Sequence, residues 1–287
     1  MAKGRELKGR IKSVEGTRKI TRTMEMVATS KLKRAQDRVI AARPYARALA
    51  EVISDLHSPD LAERFPLLRQ PAKVRRAALV LITSNRGLAG AFNSNLIREA
   101  RNRIAALEEQ GTEVELHIIG RKGLGFFRFI GRRIASSRTD LTDRPSAGDA
   151  AALVDPLMAD FVRGAIDAVY VVYAKFNSVL STPATTEQVL PVVPPTRAKE
   201  GPRRDYLLYP SAEAILSELL PLYVRNAVYR ALVETAAGEQ GARRTAMKNA
   251  TDNAGEMLNV LRRTYNRARQ AQITQEIAEI VGGAEAL

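Results

Sequence analysis

Apolar and small residues recur every three or four positions over the first 56 residues. The seam runs through Leu7, Ile11, Val14, Thr17, Thr21, Met24, Ala28, Leu32, Ala35 and Val39, then through Ala42, Ala46, Leu49, Ile53 and Leu56. The mean step is about 3.5 residues, the period of a coiled coil, so the spacing predicts one long helix with a packed edge. Pro44 predicts a kink or break nearby, because it removes a backbone donor. The run His57-Ser58-Pro59-Asp60 predicts the helix end. A second seam near the other end runs through Met247, Ala250, Ala254, Met257, Leu261, Thr264, Ala268 and Ala271. It extends upstream through Val233, Tyr229, Leu222 and Leu219, and downstream to Val281. Gly238 and Gly241 are expected to weaken this helix by up to about 1 kcal/mol each relative to Ala, and Pro221 to interrupt its start.

The middle of the chain changes period. Residues 77–83 form an apolar run closed by the turn Ser84-Asn85-Arg86-Gly87, and a helix is expected at about 91–109. Further strands are expected at 113–119, 168–174 and 185–192, the last an edge strand closed by Pro191 and Pro194. Helices are expected at 121–130 and 149–164. Such alternation argues a small, mostly parallel sheet. The expected fold class is therefore α/β: a long antiparallel coiled coil of N- and C-terminal helices plus a small Rossmann-like α/β domain. The expected boundaries are 1–58 for the first helix, 74–195 for the globular domain, 196–210 for a connecting loop and 211–287 for the second helix. Helices of 50 to 70 residues span roughly 75–105 Å, too long for one ordinary core. Small residues on both seams permit close mutual packing, and the intervening chain must reverse direction. A globular helix bundle is the competing reading.

Charge sharpens this picture. Of a net +14, most sits in residues 1–48, with 14 Lys/Arg against 4 Asp/Glu, and such a stripe suits an acidic surface. With no Cys, disulfides, thiolate metal sites and thiol nucleophiles are excluded. Only His57 and His117 remain for imidazole chemistry. No run approaches the roughly 20 apolar residues of a membrane span, and the basic N-terminus lacks the apolar core of a secretory signal. No direct membrane insertion is expected.

Catalytic motifs are thin. Residues 85–90 (NRGLAG) place a Gly-rich turn before a helix, which can cradle phosphate. They contain neither G-x-G-x-x-G nor G-K-[ST], so the expected role is structural, with Arg86 free to touch a partner. Asp140 with Asp143, and Asp155 with Asp160, are expected to cap helices rather than act as acid–base pairs. Met24 and Met26 suit adaptable packing, or a surface that repacks against several partners. No catalytic, cofactor-binding or metal-ligating residue is assigned.

The most specific strings lie at the two ends. Residues 20–32 (ITRTMEMVATSKL), 247–254 (MKNATDNA) and 265–277 (YNRARQAQITQEI) resemble the signatures of the gamma subunit of F-type ATP synthase. Arg86-Gly87-Leu88 and residues 92–96 (FNSNL) are similar to that family's central domain. Departures are Thr23 where Ala is usual, Pro221 within a helix, Tyr209 where an acid is common, and no cysteine-bearing plastid insertion. The resemblance implies a non-catalytic rotor shaft inside a ring of alpha and beta subunits, standing with epsilon on the c-ring. It implies coupling of proton-driven rotation to conformational cycling of the beta subunits, and regulation of ATPase activity. It further implies a peripheral place on the cytoplasmic face of the bacterial inner membrane. The ring contacts it implies are Met24, Lys31, Lys33, Arg34, Arg86, Arg269, Gln270, Thr274, Glu276, Ile277 and Val281, with Tyr206 at the c-ring and epsilon foot. No cofactor is implied. The alternative, a basic coiled-coil protein that binds nucleic acid, lacks aromatic stacking or RNA-binding motifs. On the shaft reading, random duplex is held only weakly and in a salt-sensitive way.

Overall fold

Along the central strand, Leu79 and Leu81 face one way and Ala78, Val80 and Ile82 the other, and all five are buried. A strand apolar on both faces needs cover on both, and this organises the domain. The computed structural model describes residues 2–56, 64–141, 143–193 and 211–285. In order, the elements are α1 (Ala2–Leu56), β1 (Arg76–Ile82), α2 (Phe92–Glu109), β2 (Glu113–Ile119), α3 (Arg121–Phe129), β3 (Ser136–Arg138), α4 (Ala147–Val162), β4 (Ala168–Ala174), β5 (Ala184–Leu190) and α5 (Ala212–Glu285). The sheet order is β3-β2-β1-β4-β5, parallel except for β5.

The chain divides into two compact units, residues 1–29 with 243–287, and residues 30–242. In the larger unit, α2 and α3 cover one face of the sheet through Phe92, Leu96, Ala100, Ile104 and Phe127. The other face packs on α4, on Leu49 and Ile53 of α1, and on Leu220, Val224 and Val228 of α5. Asp155 accepts hydrogen bonds from Nε and Nη2 of Arg225 at 2.8 and 3.0 Å, tying α4 to α5. The start of α4 carries a reciprocal cap, Ser146 Oγ accepting from Asp149 N while Asp149 accepts from Ser146 N. Gly120, at φ +95°, must be glycine, since a Cβ there would meet the Thr83 carbonyl oxygen at 2.1 Å.

The smaller unit pairs the N-terminal part of α1 with the C-terminal part of α5. Thr21 and Thr251 share a hydrogen bond of 2.8 Å, and Arg262 reaches Glu15. Gly255 faces Arg18. The paired positions rise on one helix as they fall on the other, so the helices are antiparallel.

Several expectations need correction. Thr17 is exposed, although the α1 seam otherwise packs inward. Between 247 and 272 on α5 the buried or half-buried positions are Met247, Ala250, Thr251, Ala254, Gly255, Leu258, Leu261, Tyr265, Ala268 and Gln272. The expected Met257, Thr264 and Ala271 are exposed, Met257 at 54%. Both alternations have the same mean step, and the structure takes the one that buries the larger Leu258 and Tyr265. Neither Pro44 nor Pro221 interrupts its helix. Ile40 and Ser217, whose carbonyls lose a donor, are exposed, so water can satisfy them. Gly238 and Gly241 are buried and let α5 lie close to its neighbours: a Cβ on Gly238 would meet Ala174 Cβ at 3.2 Å and Phe92 at 3.3 Å. Strand β3 and the short 3-10 turn Pro66–Leu68 were not expected.

Candidate functional site

The last described turns of α5 present a row of exposed apolar side chains. Ile273, Ile277, Ile280 and Val281 are all substantially exposed, Ile280 at 72%. Their spacing of three and four residues puts them on neighbouring stripes of one helix. Polar groups surround them. Arg269 and Gln270 are exposed, Thr274 Oγ1 donates to the Gln270 carbonyl at 3.0 Å, and Gln272 donates to Glu276 at 2.9 Å. Because these bonds lie within the helix, its outward face remains available. Met24 is half-buried on α1 in the same unit, while its neighbours Ile20, Met26 and Val27 are exposed.

In the larger unit, three of the expected basic residues converge. Lys31 and Arg34 of α1, with Arg86 after β1, line one cavity at the carboxyl-terminal edge of the sheet. Lys31 Nζ binds Asp143 Oδ2 at 2.5 Å, and Arg34 donates to Ser30 Oγ at 3.2 Å. Lys33 does not line the cavity and instead pairs with Asp37 at 2.9 Å on the helix surface. Tyr206 lies outside the described residues, as does the loop 196–210.

The Gly-rich turn is a structural clamp. Asn85 donates to the carbonyls of Thr139 and Leu141 at 3.1 and 2.9 Å, and Asn93 accepts from Ser84 N at 3.0 Å. The first amides of α3 are already used: Arg121 N by Asn85 Oδ1, Lys122 N by the Ser84 carbonyl and Gly123 N by Thr83 Oγ1, at 3.0 to 3.1 Å. The start of α3 is therefore committed to the loop after β1, while at α2, the helix the turn leads into, Phe92 N is bonded to the Ala89 carbonyl at 3.2 Å.

Nor do the acidic pairs cap helices as expected. Asp140 binds Arg138, Asp143 binds Lys31, Asp155 binds Arg225 and Asp160 binds Arg163. The hydrogen bond from Arg138 holds the Asp140 carboxyl below its usual range. The capping acid of α4 is Asp149. His117 is structural, its Nδ1 lying 2.7 Å from Ser136 Oγ, and burial holds its pKa down. Sequence reasoning missed Arg38, Arg121 and Gln240, which also line the cavity. Only the folded chain brings these three positions together.

Comparison with known proteins agrees along the whole length. A family model described as ATP synthase matches residues 3–287. The ATP synthase gamma chain of Gemmatimonas aurantiaca is 72% identical over 288 residues, covering 100% of this chain and 99% of that one. The gamma chain of Leptospira biflexa is 44% identical over 288 residues, with 100% of both covered. Among solved structures, a chain of the Tetrahymena thermophila mitochondrial ATP synthase central stalk and c-ring matches with TM-score 0.63 and 26% identity. That match covers 80% of this chain and 99% of that chain. A chain of the Euglena gracilis mitochondrial ATP synthase rotor shares the fold, with TM-score 0.65 and 18% identity over 95% of this chain and 99% of that chain.

Proposed function

The chain belongs to the ATP synthase gamma chain family, and from that premise we propose that it is the non-catalytic shaft of the rotor. It forms the central stalk, with the alpha and beta subunits around it and epsilon and the c-ring as further partners. Proton flow turns the ring and stalk together, and the uneven profile of the stalk drives each beta site through its binding states in turn. Contact with those sites also regulates ATPase activity.

The observation that carries this reading is the row Ile273, Ile277, Ile280 and Val281 at the far end of a 74-residue helix. An apolar tip turns inside an apolar collar without ion pairs to hold it at one angle. Around it Arg269, Gln270, Thr274 and Glu276 supply a polar catch to a catalytic subunit. Met24 adds an adaptable contact on α1. Lys31, Lys33, Arg34 and Arg86 meet acidic loops of the ring, in contacts weak enough to exchange at every step, since exposed ion pairs contribute little. Tyr206 serves the c-ring and epsilon foot.

ATP chemistry belongs to the partner chains. The bonds of Asn85 to Thr139, Leu141 and Arg121 support that division, because they give the Gly-rich turn a structural use. Among the described residues no helix is long and apolar enough to cross a membrane. The chain is accordingly held peripherally through its complex, on the cytoplasmic face of the bacterial membrane.

Two measurements test the assignment together. Tagged chain purified from its own cells brings down alpha, beta and epsilon partners at one copy per ring, and the isolated chain does not turn over ATP. Robust hydrolysis by the isolated chain, or its recovery without those partners, contradicts the assignment.

A further inference from the structure

The cavity that gathers Lys31, Arg34 and Arg86 has a volume of about 560 Å³, within the roughly 300–1,000 Å³ of small-molecule pockets. It opens where β1 and β2 end, the edge at which open α/β sheets receive ligands. Six cations line it, the others being Arg38, Arg121 and Arg144, against three carboxylates. Those carboxylates are engaged, Asp140 by Arg138, Asp143 by Lys31, and Glu239 by a contact of its own. The guanidinium groups of Arg86 and Arg121 make no hydrogen bond or ion pair among the described residues. Gln240, only 3% exposed, lines the same space, and its amide stands beside surplus positive charge.

Recognition in this cavity falls to side chains, because the α3 amides are spent. Guanidinium forks match the oxygens of a tetrahedral oxyanion, and a neighbouring amide donor adds direction. We propose that the cavity binds a small multivalent oxyanion of the phosphate class, held by Arg86 and Arg121 with Gln240 donating from the wall. The concavity and the burial of Gln240 favour a compact ligand over an acidic protein loop, which would meet the exposed cations from outside. Such a site shares Arg86 with the ring contacts proposed above and is separate from the apolar tip.

The test is calorimetric titration of the purified full-length chain with pyrophosphate at constant ionic strength, with ADP and orthophosphate as parallel arms. One saturable site is expected for pyrophosphate. Tighter binding of ADP identifies a nucleotide as the source of the phosphate groups, and weaker binding identifies free phosphates. The double variant Arg86→Gln/Arg121→Gln weakens the site at least tenfold, and Gln240→Leu weakens it without changing the charge. Lys12→Gln/Arg22→Gln, an equal charge loss on exposed positions of the smaller unit, leaves it unchanged. If Gln240→Leu does not fold, the exposed arginine pair carries the comparison. Heats that never saturate, or equal weakening by the Lys12/Arg22 pair, overturn the proposal. So does tighter binding of a hexaglutamate peptide than of pyrophosphate, which reassigns the cavity to an acidic protein segment.

Discussion

Within the helical pair, Thr21 and Thr251 are polar residues at buried positions, their hydroxyls 2.8 Å apart. Thr251 Oγ1 also lies 2.8 Å from the Met247 carbonyl. Removing one hydroxyl leaves its partner less satisfied in a buried seam, whereas removing both leaves two apolar side chains of similar shape. Thr21→Val is expected to cost about 1–2 kcal/mol, and Thr21→Val/Thr251→Val to recover most of it. Urea unfolding of the four chains of this cycle checks the expectation, and strict additivity contradicts it. Glu234 on α5 is buried and accepts the Phe176 amide at 2.9 Å, with Arg230, Arg43 and Glu187 also facing it. Desolvation leads the causes that raise its pKa above the ordinary value of 4.5. The folded state therefore holds the proton to higher pH than the unfolded state does, and this contribution to stability is lost as pH rises from the ordinary Glu range through the folded pKa. Glu234→Gln keeps an oxygen for the amide and removes the titration. The midpoint of urea unfolding should fall with pH across that window in the parent and stay flatter in the variant; identical slopes refute this assignment. Neither feature was legible in the sequence, because a threonine on a seam and a glutamate on a helix reveal their partners only after folding.

At the scale of elements, glycine separates local propensity from packing. Gly238→Ala should destabilise by about 1–2 kcal/mol despite the better helix propensity of Ala, because its Cβ must push on Ala174 and Phe92. Gly16→Ala, with nothing within 4 Å of its Cβ, should stabilise by up to about 1 kcal/mol. Thermal unfolding of the two variants tests the opposite signs. Where apolar period is strong, the sequence reading reaches residue accuracy: strands 113–119 and 168–174 coincide with β2 and β4. Strand β3, reading Ser-Ser-Arg, carries no apolar pattern, and only its pairing with β2 makes it a strand. The α5 seam holds at Met247, Ala250, Ala254, Leu261 and Ala268 and slips at Met257, Thr264 and Ala271. Met257 and Leu258, or Thr264 and Tyr265, serve the same mean step, and only the partner helix decides between them. The prolines break neither helix, since water can satisfy the exposed carbonyls that they leave without a donor.

For the molecule as a whole, the proposed function rests on what the described residues leave uncovered. The α5 tip is apolar and exposed, and its residues were legible from the resemblance of the terminal strings. The convergence of Lys31, Arg34 and Arg86 on one cavity was not, because it depends on the register of α1 against the sheet. If the tip turns in an apolar collar, Ile277→Asp buries an unpaired charge there and should lower the ATPase rate of the assembled complex severalfold without unfolding the chain. An unchanged rate, with assembly intact, places the tip outside such a collar.

The central claim is that this chain turns while its partners hydrolyse ATP. Because it has no cysteine, Leu180→Cys creates a unique handle at a residue 91% exposed. A bead on that thiol, with the alpha and beta ring fixed to glass, should rotate stepwise in one direction when ATP is added. Hydrolysis at an undiminished rate with a stationary bead would contradict the account.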